Sequence, residues 1–116
     1  MKKPETSKKL LDQNDPLRKP ELNYILLKYG SRYYELNYII QKHDPIFIGW
    51  CGEFEYNLVV KSILVQIDNF STENEILDLV YHEFVMGFGE VKSREKYLFL
   101  AKEIFRWHRK YLSRKN

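Results

Sequence analysis

The sequence predicts an all-α protein, a single-domain bundle of four to five helices that begins with a long amphipathic helix. Apolar side chains recur every three or four residues along most of the chain. Only five Gly and four Pro occur in 116 residues, fewer than turn-dense all-β folds use. We expect residues 1–19, which prolines interrupt, to form a flexible or short-helical arm, and residues 20–116 to form a single helical domain.

The long first helix is predicted over residues 20–43. The pentapeptide ELNYI occurs twice, 14 residues apart, so both copies fall on nearly the same helical face. Gly30 leaves two alternatives open: a break into two helices, or a β-hairpin that turns at Gly30-Ser31. Alternation of apolar and polar residues fails here, which favours helix over hairpin. The apolar stripe of this segment consists of Leu22, Leu26, Tyr29, Tyr33, Leu36 and Ile40.

Three further helices follow. Residues 54–67 repeat the apolar spacing of a buried helix, although their β-branched side chains leave a strand as the alternative. Residues 72–87 open on a T-x-x-E capping box and are predicted to end at the glycines that follow. The last helix covers roughly residues 94–112 and has cations in its last turns, where the helix dipole favours them. We expect the apolar loop 44–53 to tuck under the helices.

Several short motifs lie at the ends of these elements. They are Asp44-Pro45-Ile46, Glu55-Tyr56, Glu83-Phe84-Val85, Phe88-Gly89 and Arg94-Glu95-Lys96. In this order they resemble an uncharacterised group of small all-helical bacterial proteins with the pattern D-P-[IL], E-Y, E-F-V, F-G and R-E-K. The resemblance covers residues 33–112. It implies an all-helical fold and carries no activity with it.

Charge divides the chain into three parts. The net charge is +4 for residues 1–42, −8 for residues 43–91 and +7 for residues 92–116. An acidic middle favours a docking surface for a basic protein, because such a field speeds association and mimics phosphate charge. We therefore interpret the chain as a small non-catalytic protein-binding module, in its most concrete form an immunity or antitoxin-like protein that neutralises a basic toxin such as a nuclease. The predicted contacts of this acidic face are Glu53, Glu55, Tyr56, Glu73, Glu75, Asp78, Tyr81 and Glu83.

The basic ends support an alternative, a nucleic-acid-binding or regulatory protein. Cations interleaved with aromatic side chains suit phosphates and stacked bases. The candidate residues are Arg106, Arg109, Lys110 and Arg114, joined by Lys2, Lys3, Lys8 and Lys9 if the two ends converge on one face. Exposed aromatic side chains would also fit a homodimer.

No catalytic, metal or cofactor motif stands out, so we predict neither an enzyme nor a bound cofactor. The three histidines, His43, His82 and His108, lack metal-ligand spacing, and Cys51 is the one cysteine. An enzyme would need at least two of these four side chains in one cleft. No stretch resembles a signal peptide or approaches the roughly 18 apolar residues of a membrane span, so we expect a cytoplasmic protein without a membrane partner.

Overall fold

A computed structural model of the chain describes residues 22–46 and 55–115, without the side chain of residue 115. No strand occurs among these residues, which confirms the all-α prediction. The predicted arm 1–19, its boundary with the domain and residues 47–53 of the predicted loop 44–53 lie outside the described residues, and the division into arm and domain stays a prediction. The five α-helices are α1 (Leu22–Tyr29), α2 (Ser31–His43), α3 (Asn57–Gln66), α4 (Glu73–Phe88) and α5 (Leu98–Lys115).

The segment predicted as one long helix is two helices that meet at Gly30. The N–H of Gly30 donates to the carbonyl of Leu26 at 2.9 Å and closes α1. The backbone of Gly30 then takes φ 58° and ψ −133°, a region that side-chain-bearing residues rarely adopt. The next helix therefore starts afresh at Ser31. The break sets the direction of α2 and brings its first turn to α5.

Helices α2, α3, α4 and α5 pack in a ring, in which each contacts the next and α2 also contacts α5. The predicted stripe of the first segment faces this core, with Tyr33, Leu36 and Ile40 fully buried. Its earlier members, on α1, are half-buried against the same cluster. The predicted stripe of the third helix is also fully buried, so residues 57–66 form the buried helix that we favoured over a strand; that stripe consists of Tyr56, Val60, Ile63 and Ile67.

The predicted capping box opens α4. The Oγ1 of Thr72 accepts from the N–H of Glu75 at 3.1 Å, and the Glu75 carboxylate accepts from the N–H of Thr72 at 3.2 Å. Such a cap stabilises a helix by about 1 kcal/mol. Gly89, with φ 82°, ends α4 as predicted, whereas Gly87 lies inside the helix.

Helices α2 and α5 run antiparallel. Arg32 at the start of α2 contacts His108 late in α5, and Lys42 at the end of α2 contacts Glu103 earlier in α5. The start of α2 and the end of α5 therefore share one end of the bundle. In the part of the chain that the structure describes, no helix combines the length and apolar character needed to cross a membrane.

Candidate functional site

Two members of the predicted acidic face lie in the core. Tyr56 and Glu83 have no exposed surface. The Tyr56 hydroxyl donates to Asp44 at 2.6 Å, and Glu83 accepts from the Gln66 side-chain amide at 2.7 Å. Glu83 follows Ile76 and Leu79 at helical spacing, so the width of the apolar stripe on α4 already indicated its burial. Both side chains are therefore core residues and not the surface contact residues predicted from the sequence.

Three further members of that face are engaged within the fold. Glu73 pairs with Lys102 at 3.3 Å, and Asp78 pairs with Arg94 at 2.7 Å. The Glu75 carboxylate is the cap of α4. Two of the four negative charges of α4 are therefore paired with cations of the fold, and the Glu75 carboxylate is held by the backbone at the start of the helix.

Two further exposed carboxylates lie at neighbouring helix ends. Glu55 lies two residues before α3, and Glu90 lies two residues after the end of α4. The two helix ends are adjacent, because the Tyr56 ring lies 6.0 Å from that of Phe88. Tyr81 is half-buried against Tyr97, and residue 53 of the acidic face, a glutamate, lies outside the described residues. We call Glu55 and Glu90 the acidic end.

The four predicted basic residues share one exposed surface of α5. Their spacing of three, one and four residues keeps them within about 140° of helix arc, over about 12 Å of its length. None of the four forms an ion pair within 4.0 Å of a described carboxylate. We call this surface, which consists of Arg106, Arg109, Lys110 and Arg114, the basic face.

A fifth cation, Arg32, is buried where α2 meets α5. It is 7% exposed, and its guanidinium carbon lies 3.7 Å from the ring centroid of Tyr111 and 4.4 Å from that of Trp107. Its Nη2 donates to Nδ1 of His108 at 3.0 Å. Because arginine only donates, Nδ1 must be the acceptor, and the ring proton lies on Nε2, 3.6 Å from Asp68. Burial is the main cause that lowers the pKa of Arg32 from its ordinary value.

Arg32 also lines an open cleft of about 410 Å³ between the α1–α2 junction and the end of α5. Lys28 and Arg114 supply two more cations, and Glu35 supplies the one carboxylate of this lining. The Glu35 carboxylate accepts from Trp107 Nε1 at 2.8 Å. We call this site the basic cleft; its lining residues are Lys28, Tyr29, Ser31, Arg32, Glu35, Tyr111 and Arg114.

The sequence reasoning missed Arg32 and Lys28. A signal for Arg32 exists, because it interrupts an otherwise apolar run at helical spacing, Ile25, Tyr29, Arg32, Leu36 and Ile39. A cation in that position must be paired or stacked when it is buried. The rings that stack on it lie more than 70 residues away in sequence, as the His108 contact does, so the spacing alone could not identify them.

Two of the three histidines have hydrogen-bond partners within the fold. His43 bonds to Glu103 at 2.8 Å, and His108 bonds to Arg32. No group of three or more His, Cys, Asp or Glu among the described residues could hold a metal ion. A second, mostly apolar cleft of about 230 Å³ adjoins His108, but neither described cleft is lined by two histidines, and Cys51 lies outside the described residues.

The comparisons with known proteins add no relative. No protein-family model, no curated protein and no solved structure matches the chain. The resemblance drawn from the short motifs therefore stays a prediction.

Proposed function

We propose that this protein is a non-catalytic nucleic-acid-binding protein that holds the phosphate backbone of a single strand on the basic face of α5. The observation that carries the proposal is a contrast in charge pairing. Two of the four carboxylates of α4, those of Glu73 and Asp78, form ion pairs within the fold, whereas the four cations of the basic face have no described carboxylate within 4.0 Å. Cations that the fold does not neutralise are the ones that can release counterions from a polyanion.

A single strand suits the basic face better than a duplex groove. The four cations lie along one helix, and the basic cleft follows at the end of the same helix. A positively charged groove that follows the backbone is typical of proteins that bind single strands with little sequence preference. We therefore expect broad sequence tolerance and strong salt dependence.

The test is fluorescence anisotropy with a labelled single strand of about 12 nucleotides. Replacing Arg106 and Lys110 by Gln removes two phosphate contacts, so we expect the affinity to fall by about tenfold or more at about 0.1 M salt. Lys96→Gln is the matched control, because this lysine is also exposed and lies just before α5, far from the basic face. Equal affinities for the wild type and the double variant would overturn the proposal.

A protein partner for the acidic end is the second candidate, and it keeps the immunity or antitoxin-like interpretation. The observation that favours it is the pairing of Glu55 and Glu90 at one end of the bundle without a described cation within 4.0 Å. The acidic end includes no residue of the basic face and none that lines the basic cleft. A basic protein could dock there without competing for the basic face.

Charge reversal at Glu55 and Glu90 tests this second candidate without disturbing the core or the α4 cap. The tagged protein would be incubated with nuclease-treated extract of its own cells at low and moderate salt. The candidate is supported if the native chain retains a basic protein that salt releases. The Glu55→Lys, Glu90→Lys double variant should then fail to retain that protein. A set of retained proteins that the double variant leaves unchanged contradicts it.

A further inference from the structure

The basic cleft has the charge of a site for a small dianion. Three cations, Lys28, Arg32 and Arg114, line it against the single carboxylate of Glu35. This carboxylate is already engaged by Trp107, and Ser31 donates to its second oxygen at 3.5 Å. The lining residues therefore carry a net charge of +2 at neutral pH, within a cleft of about 410 Å³.

The backbone at the cleft adds donors. Helix α2 begins at Ser31, and the residue before it, Gly30, provides no side-chain cap. The first N–H groups of a helix have no partner within the helix, and the helix dipole makes this end positive. Uncapped N–H groups beside cations form the usual cradle of a phosphate group.

Arg32 is the independent observation that points to a ligand. It is 7% exposed, its side chain lines the cleft, and its Nε has no hydrogen-bond acceptor among the described residues. Burying a guanidinium carries a desolvation cost that its stacking on Trp107 and Tyr111 offsets in part. An anion in the cleft would give the guanidinium a charge partner, which the described residues do not supply within 4.0 Å. The two ring contacts also hold the guanidinium in one position, so little side-chain entropy is lost there when a ligand binds.

We infer that the basic cleft binds a phosphate monoester, the terminal phosphate of the strand whose backbone follows the basic face; this inference rests on the proposed function. A terminal monoester carries a charge of about −1.5 to −2 at neutral pH, which matches the lining, whereas an internal diester carries about −1. Arg114 belongs to both the cleft and the basic face, so the two surfaces are continuous. The protein would therefore prefer strands with a phosphorylated end.

The experiment compares oligonucleotides of one sequence that differ only at their ends: a 5′-phosphate, a 3′-phosphate, or hydroxyl groups at both ends. For the wild type we expect one phosphorylated form to bind about tenfold more tightly than the unphosphorylated form, the ratio for one additional charge-assisted hydrogen bond. Lys28→Gln, in the cleft but off the basic face, should lower this preference severalfold, because the phosphorylated strand loses more affinity than the unphosphorylated one. Lys110→Gln, on the face but outside the cleft, should weaken all forms equally and keep the preference.

The outcomes separate this inference from the proposed function. Equal affinity of the wild type for all three oligonucleotides overturns the terminal-phosphate site and leaves backbone binding intact. Failure of every oligonucleotide to bind overturns the proposed function. A titration with inorganic phosphate, in which the amide resonances of Ser31 and Arg32 are followed, then tests whether the cleft binds anions. Saturable shifts that Lys28→Gln weakens identify an anion site for free phosphate. Absence of such shifts overturns the site altogether.

Discussion

Replacing Arg32 by alanine should destabilise the fold more than any other arginine replacement among the described residues. Its guanidinium lies between Tyr111 and Trp107 and donates to Nδ1 of His108 at 3.0 Å. Truncation removes both stacking contacts and leaves the buried imidazole nitrogen without this donor. The perturbation thus reaches from the first turn of α2 to the last turns of α5.

The expected magnitude follows from these contacts. A hydrogen bond from a charged donor contributes about 1.5–3 kcal/mol, and a cation–π contact contributes about 0.5–2 kcal/mol. Desolvation of the guanidinium offsets part of this sum, and it is also the cause that lowers the pKa of Arg32. We therefore expect the free energy of unfolding to fall by about 3 kcal/mol.

Urea unfolding followed by circular dichroism at about 222 nm measures this loss. With an m-value of about 2 kcal/mol/M, the midpoint should fall by about 1.5 M urea. Arg106→Ala is the control, because it removes an exposed arginine from α5, the helix whose rings contact Arg32, and should change stability by less than about 0.5 kcal/mol. Arg32→Lys should recover only part of the loss, since an ammonium cannot stack as a plane. A loss for Arg32→Ala as small as that of Arg106→Ala would refute the reasoning.

Three further predictions concern the scaffold and are all measured by the same urea titration. Gly30→Ala should cost about 1–3 kcal/mol through backbone strain at φ 58°, although its Cβ would meet no atom within 4 Å; a neutral result would contradict the backbone conformation. Thr72→Ala should cost about 1 kcal/mol by removing the α4 cap, and Thr72→Ser should restore most of it. Hydrogen bonds from Lys42 and His43 hold the pKa of Glu103 below its ordinary value, so this carboxylate stabilises the fold above about pH 4.3 and loses that contribution as pH falls through its lowered pKa. The stability difference between wild type and Glu103→Gln should accordingly be present at neutral pH and vanish in acid, and a pH-independent difference would contradict it.

Periodicity was enough to predict the helices and most of the core. The stripes through Leu36, Ile63 and Ile104 are buried because a 3.6-residue repeat places them on one face, whatever the partner helix is. The cap at Thr72 was also predictable, because it involves only residues three positions apart in the sequence. The sequence did not decide whether the helix breaks at Gly30. A mid-helix glycine costs only about 1 kcal/mol, and tertiary packing can outweigh a cost of that size.

The candidate site was predictable only in part, since charge pairing joins residues that are distant in sequence. Glu73 is balanced by Lys102, and Glu103 is paired with Lys42 from the neighbouring helix α2. A net charge counted over a segment cannot reveal these pairs, so it overstated the acidic face. The basic face was found because all of its members lie on one helix, whereas the basic cleft requires α1, α2 and α5 together.

The salt dependence of single-strand binding tests the central claim most directly. Four phosphate contacts predict a slope of about −2.8 for the logarithm of the association constant against the logarithm of salt concentration, a loss of about 50-fold between about 50 and 200 mM. In the Arg106→Gln, Lys110→Gln double variant the slope should flatten by about 1.4, whereas Glu55→Gln at the acidic end should leave it unchanged. Absence of binding at the lowest salt, or a slope that the double variant does not change, would contradict the assignment of the basic face to nucleic acid.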